Sequence, residues 1–359
     1  MRRIEIESLA EFDARVARNG DLSGCVIQGV DLSQRAEVLA AARVRGAIFL
    51  GGEVPDVDAL RERGALVFPT FADLPFDPYR AALYSPAELY DRLPEGYEHT
   101  PDAGIYGWHQ RTHPSGPGGL TIADAIAMSL HDTAIDNALA EWLSGRRVVG
   151  VMGGHAIGRD EPTYAATARL GLGLADKGLA VATGGGPGLM EAANLGARCR
   201  DDGELRSALA RLATVPSFEP SISAWARTAL DLDLGERETL GVPTWFYGHE
   251  PPNAFATAIA KYFGNAVRED MLLRICNAGI VVMPGAAGTV QEIFQDACEN
   301  YYAQPEAVAP MVLVGERHWT ETLPAWPLLR RLAADRPIAG KIHLVDAAED
   351  ALGLLGDEG

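Results

Sequence analysis

The feature that most constrains the fold of this chain lies at residues 279–302. There a buried strand runs directly into a glycine-rich turn and an amphipathic helix. The apolar run at 280–283 is typical of a strand, and a Pro-Gly pair at 284–285 ends it. A Gly-Thr pair at 288–289 opens the helix, whose first turn has free N–H groups and a partial positive charge. Such a helix start suits a phosphate, and Glu292 follows one turn later. Taken alone, the stretch is equally compatible with an ordinary turn.

A second stretch of the same kind strengthens the interpretation as a binding site. The apolar strand at 179–183 runs into three consecutive glycines at 184–186, and a helix begins near Pro187. Consecutive glycines let the backbone adopt positive φ angles and approach a ligand closely. Two such turns in one domain indicate a crevice at the carboxyl ends of parallel strands.

The two stretches together resemble the LOG family, the lysine-decarboxylase-like proteins that act as nucleotide phosphoribohydrolases. The family patterns are GGGxxGLM and PGGxGTxxE. For the first pattern the chain has Gly184, Gly185, Gly186, Gly188, Leu189 and Met190, with one residue instead of two before the fourth glycine. For the second it has Pro284, Gly285, Gly288, Thr289 and Glu292. Ala286 replaces the second motif glycine, and because alanine disfavours positive φ, this substitution puts the shape of the loop in question. Residues 250–253, Glu-Pro-Pro-Asn, resemble the larger bacterial nucleotide 5′-monophosphate nucleosidases.

The resemblance implies roles for individual residues. Glu292 would be the catalytic carboxylate, and Arg268 matches an arginine on the helix that precedes the second family motif. A carboxylate is needed because cleavage of an N-glycosidic bond develops positive charge on the ribose. The phosphate would lie on the backbone N–H groups of Gly285, Ala286, Ala287, Gly288 and Thr289. The ribose and base would lie against Gly153, Gly154, Gly184, Gly185, Gly186, Gly188, Met190, Glu250 and Asn253.

Purely structural roles, which need no ligand, remain open for several of these residues. Glu292 is also a residue that the dipole favours in the first turns of any helix. Arg268 could form only a surface salt bridge with the neighbouring Glu269. Glu191, close to the first glycine loop, is an alternative catalytic carboxylate. His155 is a weaker candidate than Glu250 and Asn253 for contacting the base or ribose.

The alternation of strand and helix through residues 146–355 predicts an α/β fold with a Rossmann-like, doubly wound parallel sheet. We expect a smaller N-terminal α/β domain at 1–78, an accessory Rossmann-like unit without an evident internal repeat. A connecting segment at 79–120, part of which packs across the other domain, leads to a nucleotide-binding catalytic domain at 121–359. Helices are predicted at 4–18, 34–44, 121–143, 162–177 and 254–277, and a break of the last helix at Gly264 stays open. His131 and Asp132 are adjacent on the predicted helix and are therefore not expected to pair.

Composition narrows the classes of function. A net charge of −18 argues against binding to DNA or RNA, which needs basic patches. The four cysteines show no spacing typical of a metal site or a disulfide framework, so we expect neither a metal nor a cofactor. No apolar run approaches the roughly 20 residues of a membrane span. Because the N-terminus also lacks the apolar region of a secretory signal, we expect a cytoplasmic protein with no membrane partner.

The favoured function is hydrolysis of a nucleoside 5′-monophosphate to free base and ribose 5-phosphate. The alternative from another class is a non-catalytic nucleotide-binding or sensory protein. A pyridoxal-phosphate decarboxylase would need a Schiff-base lysine, and none of Lys177, Lys261 and Lys341 lies in a suitable motif. An NAD-dependent dehydrogenase is disfavoured because the glycine loop does not follow the dinucleotide-binding pattern. The resemblance further implies a homo-oligomer, a dimer or higher.

Overall fold

The computed structural model describes residues 4–112, 120–246 and 250–356, which form two compact units. The first unit runs to Leu83 and includes a later segment that ends at Ala138. The second unit takes up the chain from Tyr84 until that segment and again from Leu139 onward. This division differs from the predicted boundaries, because residues 84–112 belong to the second unit and the first part of the helix predicted at 121–143 belongs to the first.

The secondary structure of the described residues alternates between helix and strand. The strands are β1 Glu5–Ile6, β2 Val26–Gln28, β3 Ile48–Leu50, β4 Leu66–Val67, β5 Val148–Met152, β6 Ala180–Thr183, β7 Leu240–Gly241, β8 Ala258–Ile259, β9 Ile280–Val282, β10 Met311–Val314 and β11 Ile342–Val345. The helices are α1 Leu9–Asn19, α2 Ala36–Ala41, α3 Val57–Glu62, α4 Pro86–Leu89, α5 Pro101–Thr112, α6 Ile122–Trp142, α7 Pro162–Asp176, α8 Leu189–Arg198, α9 Asp202–Leu212, α10 Ile222–Leu230, α11 Asn265–Arg274, α12 Ala287–Tyr302 and α13 Ala325–Ala333.

The first unit contains a four-stranded parallel sheet in the order β1-β2-β3-β4. The strand order follows the chain and never reverses, so this sheet lacks the reversal of strand order that a doubly wound sheet has. The chain returns to the sheet after segments of similar length, because Glu5 pairs with Val26, Val26 with Ile48 and Ile48 with Leu66. A glycine with positive φ lies two residues before each of β2, β3 and β4, at Gly24, Gly46 and Gly64.

The second unit contains a seven-stranded parallel sheet in the order β11-β10-β9-β5-β6-β7-β8, which confirms the predicted doubly wound α/β fold. From β5 the chain proceeds outward through β6, β7 and β8, and then returns to β9 on the other side of β5. The strand order therefore reverses between β5 and β9, which is where open α/β sheets bind ligands. The strands are buried on both faces, with Val149, Val181 and Val281 fully buried in one core.

Two helices begin later than predicted, and one predicted absence of pairing is wrong. Residue 5 belongs to a strand, and α1 begins only after Ser8, whose side chain caps it. The helix predicted at 254–277 begins at Asn265, because the apolar run before it forms β8 and pairs with β7 and with Tyr84. His131 Nδ1 lies 3.0 Å from Asp132 Oδ1. Adjacent Cα atoms are only about 3.8 Å apart, so two short side chains can meet despite their divergent helix positions.

The predicted connecting segment contains more structure than its composition indicated. It includes the unpredicted helix α5, and Tyr84 exchanges backbone hydrogen bonds of 3.0 and 2.8 Å with Ile259 at the edge of the seven-stranded sheet. Its residues 113–119, including His113, lie outside the described residues, as do residues 247–249 of the predicted strand and loop near Glu250.

Candidate functional site

Three strand-to-helix loops meet at the carboxyl edge of the seven-stranded sheet, beside the point where strand order reverses. Gly154, after β5, donates its N–H to the carbonyl of Pro284, after β9, at 3.1 Å. The carbonyl of Gly154 accepts from the N–H of Leu189, which opens α8 after β6, also at 3.1 Å. The Cα of Gly153 is confined as well, since an added Cβ would lie 3.0 Å from Met283 and 3.1 Å from Leu189. The two sequence motifs, about a hundred residues apart, therefore contact the same turn at Gly153 and Gly154.

Residues 284–289, which we call the cradle loop, form the open side of this site. Ala286, Ala287 and Gly288 are exposed, whereas Thr289 is buried with its side chain against the Cα of Gly285. A Cβ at Gly285 would collide with the Thr289 hydroxyl, which explains this glycine by local packing. Ala286 has φ −119°, which is outside the left-handed region that favours glycine. The replacement of the motif glycine by alanine therefore meets no requirement for positive φ here.

Gly288 is not explained by the protein around it. Its φ is not positive, and an added Cβ would meet no atom within 4 Å among the described residues. It lies in the first turn of α12, where free N–H groups and the helix dipole favour an anion. The protein fold would accept alanine at this position.

Residues 184–188, which we call the wall loop, are buried throughout and closely packed. Gly185 and Gly188 have positive φ angles of 74° and 69°. A Cβ at Gly184 would lie 2.6 Å from Arg268 Nη2, and one at Gly186 would lie 2.9 Å from Met190 and 3.3 Å from Glu250 Oε2. The side chains of three predicted site residues, Met190, Arg268 and Glu250, thus pack against the backbone of the wall loop.

Arg268 is buried and holds this corner of the site together. Its Nε donates to the carbonyl of Val242 at 2.6 Å, and its Nη2 donates to that of Gly184 at 3.3 Å. Its Nη1 lies 2.7 Å from Glu269 Oε1. The predicted salt bridge with Glu269 is present, but it is a buried contact rather than a surface one.

Glu292 lies one helical turn into α12, and its pKa is raised to about 7. Burial of the carboxyl group is the main cause, the Arg268 charge opposes it, and the Glu269 carboxylate adds to it. A carboxyl group with this pKa is partly ionised at neutral pH and can exchange a proton there. The electrostatic coupling to Arg268 joins the two residues that were predicted to be catalytic.

Glu250 and His155 form the exposed rim of the site. Glu250 Oε1 lies 3.6 Å from His155 Nδ1, and 37% and 55% of the respective side chains are exposed. The two residues come from different loops, so only the tertiary structure pairs them. A carboxylate and an imidazole on an open rim offer an acceptor and a donor to a ligand.

Asn253, predicted to face the ribose or base, is fully buried behind the wall loop. Its backbone N–H donates to Gly185 at 2.8 Å and its side-chain amide donates to Gly186 at 3.2 Å. Its side-chain oxygen accepts from the N–H groups of Phe255 and Ala256. The residue therefore fixes the backbone of the wall loop and does not present its amide to the site.

Glu191, the alternative carboxylate, is engaged in a buried ion pair that the sequence did not indicate. Arg159 donates to its two oxygens at 3.0 and 2.5 Å, and both side chains are almost completely buried. The guanidinium also lies over the ring of Trp225, 4.6 Å from its centroid. With its charge balanced below the wall loop, Glu191 does not compete with Glu292 for the catalytic position.

The loop that carries Glu250 is braced by the segment preceding α6. The hydroxyl of Tyr90 donates to the carbonyl of Pro252. Buried Lys261 lies 2.6 Å from Asp102, whose other oxygen accepts from the Tyr97 hydroxyl at 2.7 Å. Burial lowers the pKa of Lys261, and Asp102 opposes that shift. No local pattern predicts these pairs, because their members lie up to 162 positions apart.

Two negative findings concern the described residues. None of their His, Cys, Asp and Glu side chains form a group of three or more that could hold a metal ion. Within the same ranges, every helix is too short or too polar to cross a bilayer.

Comparison with known proteins gives similarity at two levels. Residues 146–203, which include β5, β6 and the wall loop, match the model of the SLOG cluster4 family. Among solved structures, the chain is similar to a molybdenum cofactor binding protein from Rippkaea orientalis, with 18% identity and a TM-score of 0.37 over 58% of this chain and 94% of that one. It is also similar to the molybdenum cofactor carrier protein from Chlamydomonas reinhardtii, with 18% identity and a TM-score of 0.36 over 58% and 94% of the two chains. No curated protein sequence matches this chain.

Proposed function

We propose that this protein is a LOG-type nucleotide phosphoribohydrolase, which hydrolyses a nucleoside 5′-monophosphate to free base and ribose 5-phosphate. The observation that carries the proposal is the convergence of an open helix N-terminus with a carboxyl group titrating near neutrality and a buried arginine. An anion cradle alone would serve any phosphate ligand. The addition of Glu292 and Arg268 gives the site groups that bond cleavage requires.

The 5′-phosphate would bind at the cradle loop. Its exposed residues Ala286, Ala287 and Gly288 open the first turn of α12, which favours negative charge. The close approach of a phosphate oxygen gives a reason for glycine at position 288, where no neighbouring protein atom demands it. The local dipole matters because the net charge of −18 gives no general attraction for a dianion.

The ribose would then lie between the cradle loop and the wall loop, near Glu292. As the bond between C1′ and the base nitrogen breaks, its electron pair leaves with the base and the ribose becomes cationic. The Glu292 carboxylate stabilises this charge and accepts a proton from the attacking water, whose oxygen forms the new bond to C1′. Arg268 keeps a fraction of Glu292 ionised at neutral pH. The water keeps its other proton as the new C1′ hydroxyl. The proton accepted by Glu292 passes to the departing base, which leaves as a neutral molecule and restores the carboxylate.

The base would extend toward the rim formed by Glu250 and His155. Their separation of 3.6 Å lets one ligand edge contact both side chains. This arrangement suits a base that carries both a donor and an acceptor. Homo-oligomerisation, expected from the family resemblance, remains part of the proposal, and the mass of the purified protein in solution tests it.

A nucleotide-binding function without catalysis is the second candidate. It is favoured by one observation, the commitment of three Arg268 N–H groups to Val242, Gly184 and Glu269. An arginine engaged in this way can serve mainly to hold the site together. The two candidates differ in turnover and not in affinity.

The deciding experiment measures release of free base and ribose 5-phosphate from AMP, GMP, IMP, CMP and UMP, with the unphosphorylated nucleosides as controls. The variant Glu292→Gln is expected to lower kcat/KM by about 10²–10⁴-fold, the usual contribution of a positioned acid or base. Asp296→Asn is the matched control, because Asp296 lies one turn further along α12 with a pKa also raised to about 7 by burial. If the wild type binds a monophosphate and releases no base from any of them, the hydrolase proposal fails and the binding function replaces it.

The pH profile gives an independent check. Because the ionised form of Glu292 is the active one, kcat/KM is expected to rise with pH through about 7 and to fall below it. A profile that is flat from pH 5 to 8 contradicts the role assigned to this carboxylate.

A further inference from the structure

His318 contacts the cradle loop from a segment that neither sequence motif includes. It follows β10, the strand next to β9, and its side chain is partly buried. Its Nε2 lies 3.0 Å from the carbonyl oxygen of Gly285. A carbonyl oxygen only accepts, so Nε2 carries the proton and donates, whether the ring is neutral or charged.

The segment that carries His318 is firmly held. Its neighbour Trp319 is fully buried, and the indole N–H donates to the carbonyl of Val314 at 2.9 Å. The His318 ring packs edge-on against this indole with a centroid distance of 4.5 Å. Gly315, with φ 92°, lies close to Pro284, since an added Cβ would be 3.3 Å from the proline ring. The turn after β10 is therefore a rigid support for the first two residues of the cradle loop.

The planar peptide unit between Gly285 and Ala286 relates the contact with His318 to the direction of the Ala286 N–H. In a planar trans peptide the C=O and the following N–H point in opposite directions. Fixing the Gly285 carbonyl toward His318 therefore fixes the N–H of Ala286 on the opposite side of the same unit. Ala286 is exposed and immediately precedes the first residue of α12, where an anion would accept that N–H.

We propose that His318 is a positioning residue that presets the cradle loop to bind a phosphate monoester. The inference rests on the phosphate site of the proposed function but not on hydrolysis. A loop that is already ordered loses less conformational entropy when the ligand binds, so the contact appears in affinity for the phosphate group. The contact with Gly285 requires a hydrogen-bond donor at the position of Nε2 and no other property of the imidazole ring.

The test is calorimetric binding of ribose 5-phosphate to the full chain and to three variants. His318→Leu removes the donor, His318→Gln carries an amide donor of similar reach, and His318→Asn carries one that is too short. We expect the Leu and Asn variants to bind about threefold to tenfold more weakly than the wild type, in line with one net hydrogen bond. We expect the Gln variant to bind within about twofold of the wild type.

Arg317→Gln is the control for charge. Its side chain is 87% exposed and adjacent in sequence, and it pairs with Glu321 rather than with the cradle loop. The expected affinity is that of the wild type, and a loss as large as that of His318→Leu would overturn the inference in favour of a general charge effect.

Further outcomes separate this inference from the proposed function. Equal affinity of the Leu and Asn variants with the wild type overturns it, as does equal weakness of the Gln and Asn variants. If the Leu variant does not fold, the comparison of Gln with Asn decides alone. A wild type that binds ribose 5-phosphate but releases no base refutes hydrolysis and leaves the role of His318 to be judged by the variants. A wild type that fails to bind ribose 5-phosphate removes the phosphate site and this inference together.

Discussion

The wall loop and the cradle loop have similar sequences and opposite physical character. In the wall loop, glycine is required by the protein itself, because Gly185 and Gly188 have positive φ and Gly184 has no room for a Cβ. In the cradle loop, Gly288 has neither a positive φ nor a close neighbour among the described residues. In the wall loop, the protein's own packing therefore requires glycine. In the cradle loop, the described residues leave the space beside Gly288 open. Only the surroundings of each residue distinguish the two cases.

The glutamate that follows each loop repeats the contrast. Glu191 is buried against Arg159, which balances its charge. Glu292 lies near Arg268, but that guanidinium is shared with Glu269, and burial still raises the pKa of Glu292 to about 7. The first glutamate stabilises the fold, whereas the second retains the reactivity that a catalytic group needs.

The largest effect is expected from Glu191→Gln. Loss of this carboxylate leaves the Arg159 guanidinium, 2% exposed, without its counter-charge, and breaking a buried pair costs about 3–5 kcal/mol. Urea unfolding at pH 7 measures the free energy of unfolding. Asp202→Asn is the control, because it removes one partner of an exposed pair with Arg206 and is expected to cost less than about 1 kcal/mol. Equal losses in the two variants would contradict the contrast between buried and exposed pairs.

Gly188→Ala is expected to destabilise the fold by about 2–4 kcal/mol. The positive φ accounts for roughly 1–2 kcal/mol, and the remainder comes from a Cβ placed 2.6 Å from the carbonyl oxygens of Gly154 and His155. Gly178→Ala separates the two terms, because Gly178 has φ 76° but open space around it. Thermal and urea unfolding of both variants measure the difference. A loss no larger than that of the control would mean that the wall loop is not tightly packed.

Glu292→Gln is expected to increase stability at pH 8 by on the order of 1–3 kcal/mol, the lower values reflecting partial exposure of the side chain. The folded-state pKa of about 7 lies above the model value of 4.5, so the folded protein holds the proton more tightly than the unfolded chain. Ionisation of Glu292 therefore weakens the wild type as pH rises from about 4.5 to 7. Urea unfolding at pH 4 and pH 8 provides its own control, since the two proteins should differ little at pH 4. A pH-independent difference would show that the carboxyl group is not desolvated in the fold.

Gly288→Ala is expected to leave the fold intact, or to stabilise it by up to about 1 kcal/mol, while weakening ribose 5-phosphate binding about tenfold. The gain reflects the helix propensity of alanine, and the loss reflects a methyl group where the phosphate approaches. Gly104→Ala, at an exposed position of α5 with open space, is the control for helix propensity. Unfolding and calorimetry are measured on the same preparations. Unchanged affinity would mean that the phosphate does not approach Gly288, and it would remove the reason given for glycine at this position.

Local patterns predicted much of the fold of the second unit. The strands β6 and β9 and the helix α7 appear within a residue or two of their predicted bounds. The two glycine-rich turns were found because their sequences carry the backbone requirement directly. The prediction failed at residues 254–263, where an apolar run compatible with a helix became β8, because the edge of the sheet and Tyr84 supplied partners for its backbone.

The sequence by itself determined the parallel α/β fold and the two loops, together with the residues that the family resemblance assigns to the site. These features depend on short-range order, such as apolar periodicity and glycine backbone freedom. Only the tertiary structure decided that Glu191 is neutralised by Arg159, that Asn253 supports the wall loop and that His318 holds Gly285. Each of these outcomes depends on a contact between residues 32 to 67 positions apart, and local sequence patterns do not record which distant partner a polar side chain will meet.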